Sequence, residues 1–172
     1  MSSQLYFFAS IAFSLIVWSV VTSQYLWPRL RILPRSDAMR PLLILHSFRF
    51  LGLAFLVPGV VSPELPAAFA RSAALGDVVA ATLALVALAS QSRPGAVVLT
   101  WLFNAWGAAD LVNAFYQANA AGLSAGQLGA AYFIVTLFVP LLLITHALAF
   151  RILLHREPRA TRVAMGERRL PA

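Results

Sequence analysis

Five long apolar runs, separated by short polar segments, dominate the chain. The runs cover about residues 5–27, 41–61, 73–90, 96–118 and 130–153. A helix needs roughly 20 apolar residues to cross a bilayer, and each run approaches or exceeds that length. The pattern therefore predicts an all-α bundle of five transmembrane helices over residues 1–154, followed by a basic tail over residues 155–172.

Prolines and small residues mark the interruptions between these runs. Pro58-Gly59 should end or kink the second helix near its far side. The segment 62–72 holds two prolines and is too short to span, so we expect an interfacial loop there. Pro140 lies near the centre of the fifth run, where it should disturb the helix.

The distribution of arginine predicts how the bundle is oriented. All thirteen basic residues are arginines. With the N-terminus outside, eleven of them lie on the cytoplasmic side, and only Arg71 lies on the outer side. The eleven are Arg29, Arg31, Arg35, Arg40, Arg93, Arg151, Arg156, Arg159, Arg162, Arg168 and Arg169. Positive charge favours the cytoplasmic side, so a cytoplasmic C-terminus is predicted. A four-span alternative, without the third run, would split this charge between both faces.

Composition supports a membrane protein and excludes several other classes. The chain is 60% hydrophobic and 11% charged, with a mean hydropathy of +0.80, whereas a soluble domain carries about 25% charged residues. The high pI of about 11.3 would suit a nucleic-acid-binding protein. The arginines flank apolar spans, however, so they indicate topology and contact with anionic lipid headgroups instead. Cysteine is absent, which excludes disulfides and thiolate metal sites.

Four polar residues within the spans form the main candidate site. Arg49 lies in the second span, Asp77 in the third, and Asn104 and Asp110 in the fourth. Such residues are costly in lipid and often mark functional sites. From depth and side-chain direction, we expect Arg49 to meet Asn104 directly and Asp110 if the helices tilt, while Asp77 leans toward the outer interface. Arg49 can neutralise one aspartate, so we expect the other to carry a proton.

Two histidines form a second candidate set. His46 and His146 lie at similar depth in the second and fifth spans. They could relay protons, or they could ligate a b-type haem from opposite faces. The alternative is a pair of interfacial histidines bonded to backbone, lipid or water. No catalytic residue and no metal-ligand set is predicted.

The polar anchors carry a resemblance. They are Arg49-Phe50-Leu51-Gly52, Gly76-Asp77 and Asn104-x-x-Gly107-x-x-Asp110-Leu111. This pattern resembles a group of small, uncharacterised bacterial multi-pass membrane proteins. The resemblance implies that Arg49, Asp77, Asn104 and Asp110 act as one unit, and it brings no activity with it.

These observations favour two functions. The first is a small transporter or proton-linked permeation protein of the bacterial inner membrane, with the polar residues lining its path. The second is a non-catalytic accessory or scaffold subunit, whose polar residues hold helices together. A membrane redox protein with haem b on the histidines comes third, and no other cofactor is expected. No enzyme motif occurs, which favours a protein that is not an enzyme. The expected partners are the lipid bilayer, anionic headgroups at the basic loop and tail, and further copies of the chain, without nucleic acid.

Overall fold

The computed structural model describes residues 3–155, and in that range the chain is helical with short turns and no strand. Six α-helices follow one another: α1 (Ser3–Val21), α2 (Trp27–Leu30), α3 (Arg35–Ser47), α4 (Ala67–Ala89), α5 (Ala96–Ala120) and α6 (Val139–Leu154). Two 3-10 segments (Phe48–Leu56 and Ala125–Ala131) and two π-helical segments (Thr22–Leu26 and Ile134–Phe138) lie between them. The predicted all-α class is therefore confirmed.

Four of the continuous helical stretches are long and apolar enough to cross a membrane. They are Gln4–Leu30, Arg35–Leu56, Ala67–Ala89 and Ile134–Leu154. The fourth predicted span corresponds to α5, which has 25 residues and would measure about 37 Å. Its length suffices, but its five Asn, Asp and Gln side chains make it less apolar than the other four.

Several helix boundaries differ from those expected. The second stretch begins at Arg35 and ends at Leu56, where residues 41–61 were predicted. Helix α4 begins at Ala67, inside the segment predicted to be a loop, because Pro66 precedes it as an N-terminal residue that needs no helical N–H. Of the predicted basic tail, residues 156–172 lie outside the described residues.

The second stretch changes from α-helix to 3-10 helix at Phe48. A 3-10 run of nine residues is unusually long, since most have three or four. With three residues per turn, Arg49, Gly52 and Phe55 fall on one face, and these three are the buried residues of the segment. The arginine is therefore held toward the bundle by the local helix type.

Each π-helical segment lies just before a proline. Pro28 and Pro140 cannot donate the backbone hydrogen bond of a regular α-helix, and a π-bulge shifts the bonding by one residue. The N–H groups of Trp27 and Val139 accordingly bond five residues back. In the second case the carbonyl of Leu137 also accepts from the Trp18 indole at 3.1 Å, which ties α1 to the last helix.

Two apolar cores lie on either side of the polar residues. We call the end of the bundle that holds the start of α1, the loop 57–66 and the linker 121–133 the open end, and the other the closed end. The closed-end core consists of Leu30, Ala38, Met39, Leu42, Leu43, Ala84, Ala87, Phe103, Leu148, Ala149, Ile152 and Leu153. The open-end core consists of Phe55, Leu65, Phe69, Ala70, Ala73, Leu128 and Ala131.

Candidate functional site

Arg49 is the centre of the polar cluster. Its Nε donates to Asp77 Oδ1 at 2.7 Å, and its Nη2 donates to Asp110 Oδ2 at 2.7 Å. Its Nη1 donates to the carbonyl of Gly107 at 3.0 Å. The arginine side chain has no exposed surface, whereas the side chains of Asp77 and Asp110 keep 14% and 10%. One guanidinium thus joins three helical stretches in short, charge-assisted bonds.

Three contact glycines (Gly52, Gly76 and Gly107) make room for this cluster. A Cβ on Gly52 would overlap the Asp77 carboxylate, and a Cβ on Gly76 would overlap that of Asp110. A Cβ on Gly107 would meet the His146 ring and the Arg49 guanidinium. Each glycine faces a polar side chain of a neighbouring helix, so the small residues bring the backbones close where the charges must meet.

The bonding of His146 defines its tautomer. Its Nδ1 lies 2.7 Å from Asn104 Oδ1, and the Asn104 amide nitrogen donates to the His146 carbonyl at 3.3 Å. The asparagine oxygen can only accept, so His146 carries its proton on Nδ1. Its Nε2 then accepts from Arg49 Nη1 at 3.3 Å. Asn104 therefore fixes a neutral imidazole whose lone pair faces the guanidinium.

His46 has the opposite tautomer and one nitrogen without a partner. Thr145 Oγ1 donates to backbone carbonyls of its own helix, at 2.8 Å to Leu141 and 3.1 Å to Leu142. That oxygen therefore accepts from His46 Nε2, which lies at 3.0 Å. Nδ1 of His46 is buried and has no hydrogen-bond partner in the described part of the chain.

The two histidines are in direct contact, which does not fit a haem held between them. Their ring centroids are 4.1 Å apart, and the rings are tilted by 47°. At van der Waals distance no macrocycle fits in the gap. Both nitrogens of His146 and one of His46 are already engaged in hydrogen bonds. Among residues 3–155 no group of three or more His, Cys, Asp or Glu side chains could hold a metal ion.

A cavity of about 310 Å³ extends from residues at the open end to the two aspartates. Its floor includes Asp77 and Asp110, each ten residues from the open end of its helix and so about 15 Å deep. Its walls are mostly apolar, with five phenylalanines: Phe7, Phe8, Phe55, Phe69 and Phe115. The amides of Gln4 and Asn119 also lie in its lining. Toward the closed end, the apolar core continues from the cluster.

The structure brings the predicted site residues together in a different pairing. Asp77 does not lean away to an interface but bonds Arg49, because Gly52 lets α4 approach the 3-10 segment closely. Asn104 bonds His146 where Arg49 was expected. The arginine reaches both aspartates, since a guanidinium carries five donors in a fork.

Sequence reasoning missed Thr145, the phenylalanines of the cavity and the accommodating role of Gly76. The role of Gly76 could have been predicted, because this glycine directly precedes an intramembrane aspartate.

The fold and this cluster define an all-helical membrane protein with a buried arginine–aspartate–histidine network. The chain belongs to the family described as "Domain of unknown function (DUF8737)", whose pattern matches residues 6–154. Comparisons with curated proteins and with solved structures gave no match.

Proposed function

We propose that the chain crosses the bacterial inner membrane five times, with α5 as the fourth span and the N-terminus outside. Helix α5 follows α4 through the tight turn 90–95 and packs between α4 and α6. Its lower hydropathy comes partly from Asn104 and Asp110, which face partners inside the bundle. In this orientation the open end is the outer end, and the basic loop and tail contact anionic headgroups on the cytoplasmic side.

We further propose that the protein is a small transporter or proton-linked permeation protein. The observation that carries this proposal is the cavity, which ends at mid-depth on two aspartates while an apolar core closes the other half. A mid-depth site with a cavity in one half of the bundle and a packed core in the other is compatible with alternating access. Asp77 and Asp110 receive the substrate or proton, and His146 and His46 continue the polar path beyond Arg49.

The 3-10 segment offers a physical route between two states. Conversion of its nine residues to α-helix would shorten it by about 4–5 Å, because the rise falls from about 2.0 to 1.5 Å per residue. The same change would take Arg49, Gly52 and Phe55 off their common face. The arginine would then leave the aspartates, and the closed-end core would have to repack.

A second candidate function is an accessory or scaffold subunit without a transport path. The tight fit at the three contact glycines favours it, since the same hydrogen bonds would lock helices together. The two functions differ in whether the closed end ever opens to water.

Single cysteines test the difference cleanly, because the chain has no native cysteine. We expect Ala114→Cys, in the cavity wall, to react with a membrane-impermeant maleimide added from outside. Ala149→Cys, whose parent side chain is fully buried in the closed-end core, should react from the cytoplasmic side if the protein alternates. The lipid-facing variant Val112→Cys serves as the unreactive control. Protection of Ala149→Cys under all conditions, with a correctly folded variant, would favour the scaffold.

A further inference from the structure

The floor of the cavity holds two carboxyl groups that share one guanidinium, so a bound cation favours the state in which both are ionised. Two carboxylates bond a single guanidinium, so one negative charge has no cationic partner when both are ionised. Arg49 has no exposed surface and is not part of the lining, whereas both aspartates are. Of the described residues that line the cavity, Asp77 and Asp110 alone are charged. A ligand in the cavity therefore meets the negative side of the cluster.

The aromatic side chains of the walls also favour a cation. Aromatic faces attract cations, and they also bury apolar groups. Five phenylalanine side chains and several aliphatic ones surround the space above the carboxylates. The volume of about 310 Å³ lies at the lower end of the range for small-molecule pockets. A Ca²⁺ or Mg²⁺ ion takes six or more oxygen ligands, of which two aspartates supply only a part.

We propose that this cavity binds an amphiphilic organic monocation, such as an amine that carries an aromatic or branched alkyl group. Its cationic nitrogen lies against Asp77 and Asp110, and its apolar part lies among the phenylalanines. The proposal rests on the proposed function, because it names the substrate class of the same site. Charge complementarity selects this occupant over an acyl chain or an anion, which would leave the second carboxylate uncompensated in an apolar pocket.

A pair of isosteric ligands tests the role of charge. Benzyltrimethylammonium and neopentylbenzene have the same shape and differ in one positive charge. Binding to the full chain in nanodiscs is measured by ligand-observed NMR, with empty nanodiscs as the blank. We expect the cation to bind about tenfold or more tightly than the neutral isostere, since its charge is met by a desolvated carboxylate. Equal affinity of both ligands, as for an acyl-chain site, would overturn the proposal.

Substitutions in the cavity test whether the cation binds there. Asp110→Asn should weaken cation binding by about tenfold while leaving the neutral ligand unchanged. Glu64→Gln is the matched control, because it removes a carboxylate outside the cavity and should change neither ligand. Ala114→Phe keeps both aspartates and fills the wall, so it should abolish binding even if Asp110→Asn folds poorly. Unaltered cation binding in Ala114→Phe would contradict the site.

The outcome separates this proposal from the proposed function. Asp110-dependent cation binding together with a permanently protected Ala149→Cys would keep the ligand class and reject transport. A reactive Ala149→Cys together with no preference for the cation would keep transport and reject the ligand class.

Discussion

The two halves of the bundle use the same helices but pack them differently. Toward the closed end, Ala80, Ala84 and Ala87 of α4 have no exposed surface, so neighbouring helices approach closely. Toward the open end, α4 presents Phe69 and Asp77 to a cavity of about 310 Å³. In the closed half these small side chains pack against larger ones, whereas in the open half a cavity lined largely by aromatic side chains remains. The polar cluster lies at the boundary between them.

This difference indicates why the charges lie where they do. A buried ion pair is costly unless its geometry is excellent and every polar atom is satisfied. Arg49 meets that condition on the closed side, where it has no exposed surface. The aspartates keep some exposure toward the cavity, which lowers their desolvation cost. The cluster is therefore sealed on one side and accessible on the other, and four experiments can break or sharpen this contrast.

The largest effect is expected from Arg49→Met. The variant leaves two carboxylates in the bundle without their cation, which should destabilise the protein by about 3–5 kcal/mol. Unfolding in mixed detergent with SDS, followed by circular dichroism, measures the loss. The triple variant Arg49→Met/Asp77→Asn/Asp110→Asn removes all three charges and should recover most of it. A triple variant as unstable as the single one would show that the charges do not act as a unit.

A matched pair of alanines compares the two halves directly. Ala84→Leu inserts three carbons into the closed-end core and should cost about 3 kcal/mol through overpacking. Ala114→Leu places the same atoms beside the cavity and should change the free energy of unfolding by about 0.5 kcal/mol or less, since space is present there. Both are measured by the same SDS unfolding assay. An equal loss of unfolding free energy in both variants would mean that the cavity cannot accommodate a larger side chain.

Much of the fold could be predicted from the sequence, because apolar runs longer than about 20 residues have few alternatives. All-helical structure and membrane character followed from hydropathy. The switch to 3-10 helix at Phe48 did not, because helix type depends on tertiary contacts as well as on local sequence. The one sequence feature that fits this 3-10 helix is the three-residue spacing of Arg49, Gly52 and Phe55, which places them on one face.

The sequence indicated which polar residues form the site more readily than which of them bond one another. Depth placed the polar residues near one another, but depth gives no rotation of a helix about its axis. The bonds of Arg49 to Asp77 and of Asn104 to His146 depend on such rotations and on the contact glycines. The cavity could not be predicted, since it arises from α1 lying at the periphery with Leu5, Phe8 and Phe13 exposed.

A smaller effect is expected from Gly76→Ala. The new methyl group would overlap the Asp110 carboxylate and push it away from Arg49, at a cost of about 2 kcal/mol. Gly126→Ala is the control, because nothing lies within 4 Å of a Cβ at that position. A double-mutant cycle with Asp110→Ala should recover part of the loss, since the shorter side chain vacates the space. Additive costs would contradict the proposed contact.

The smallest effect is expected from Thr145→Val, which probes the closed side of the boundary. The variant removes the acceptor of His46 Nε2–H and should cost about 1 kcal/mol, because a buried donor is left unpaired. Nitrogen-15 NMR of labelled histidine supplies a second readout. In the parent protein His46 should carry its proton on Nε2 and His146 on Nδ1. Loss of the acceptor should change the chemical shift of the His46 Nε2–H group without moving its proton, because Nδ1 has no partner in the described part of the chain either. His146 should keep its tautomer because Asn104 still fixes it. If the NMR signals of both histidines changed in the variant, the two rings would form one coupled unit. The polar cluster would then extend into the closed half of the bundle.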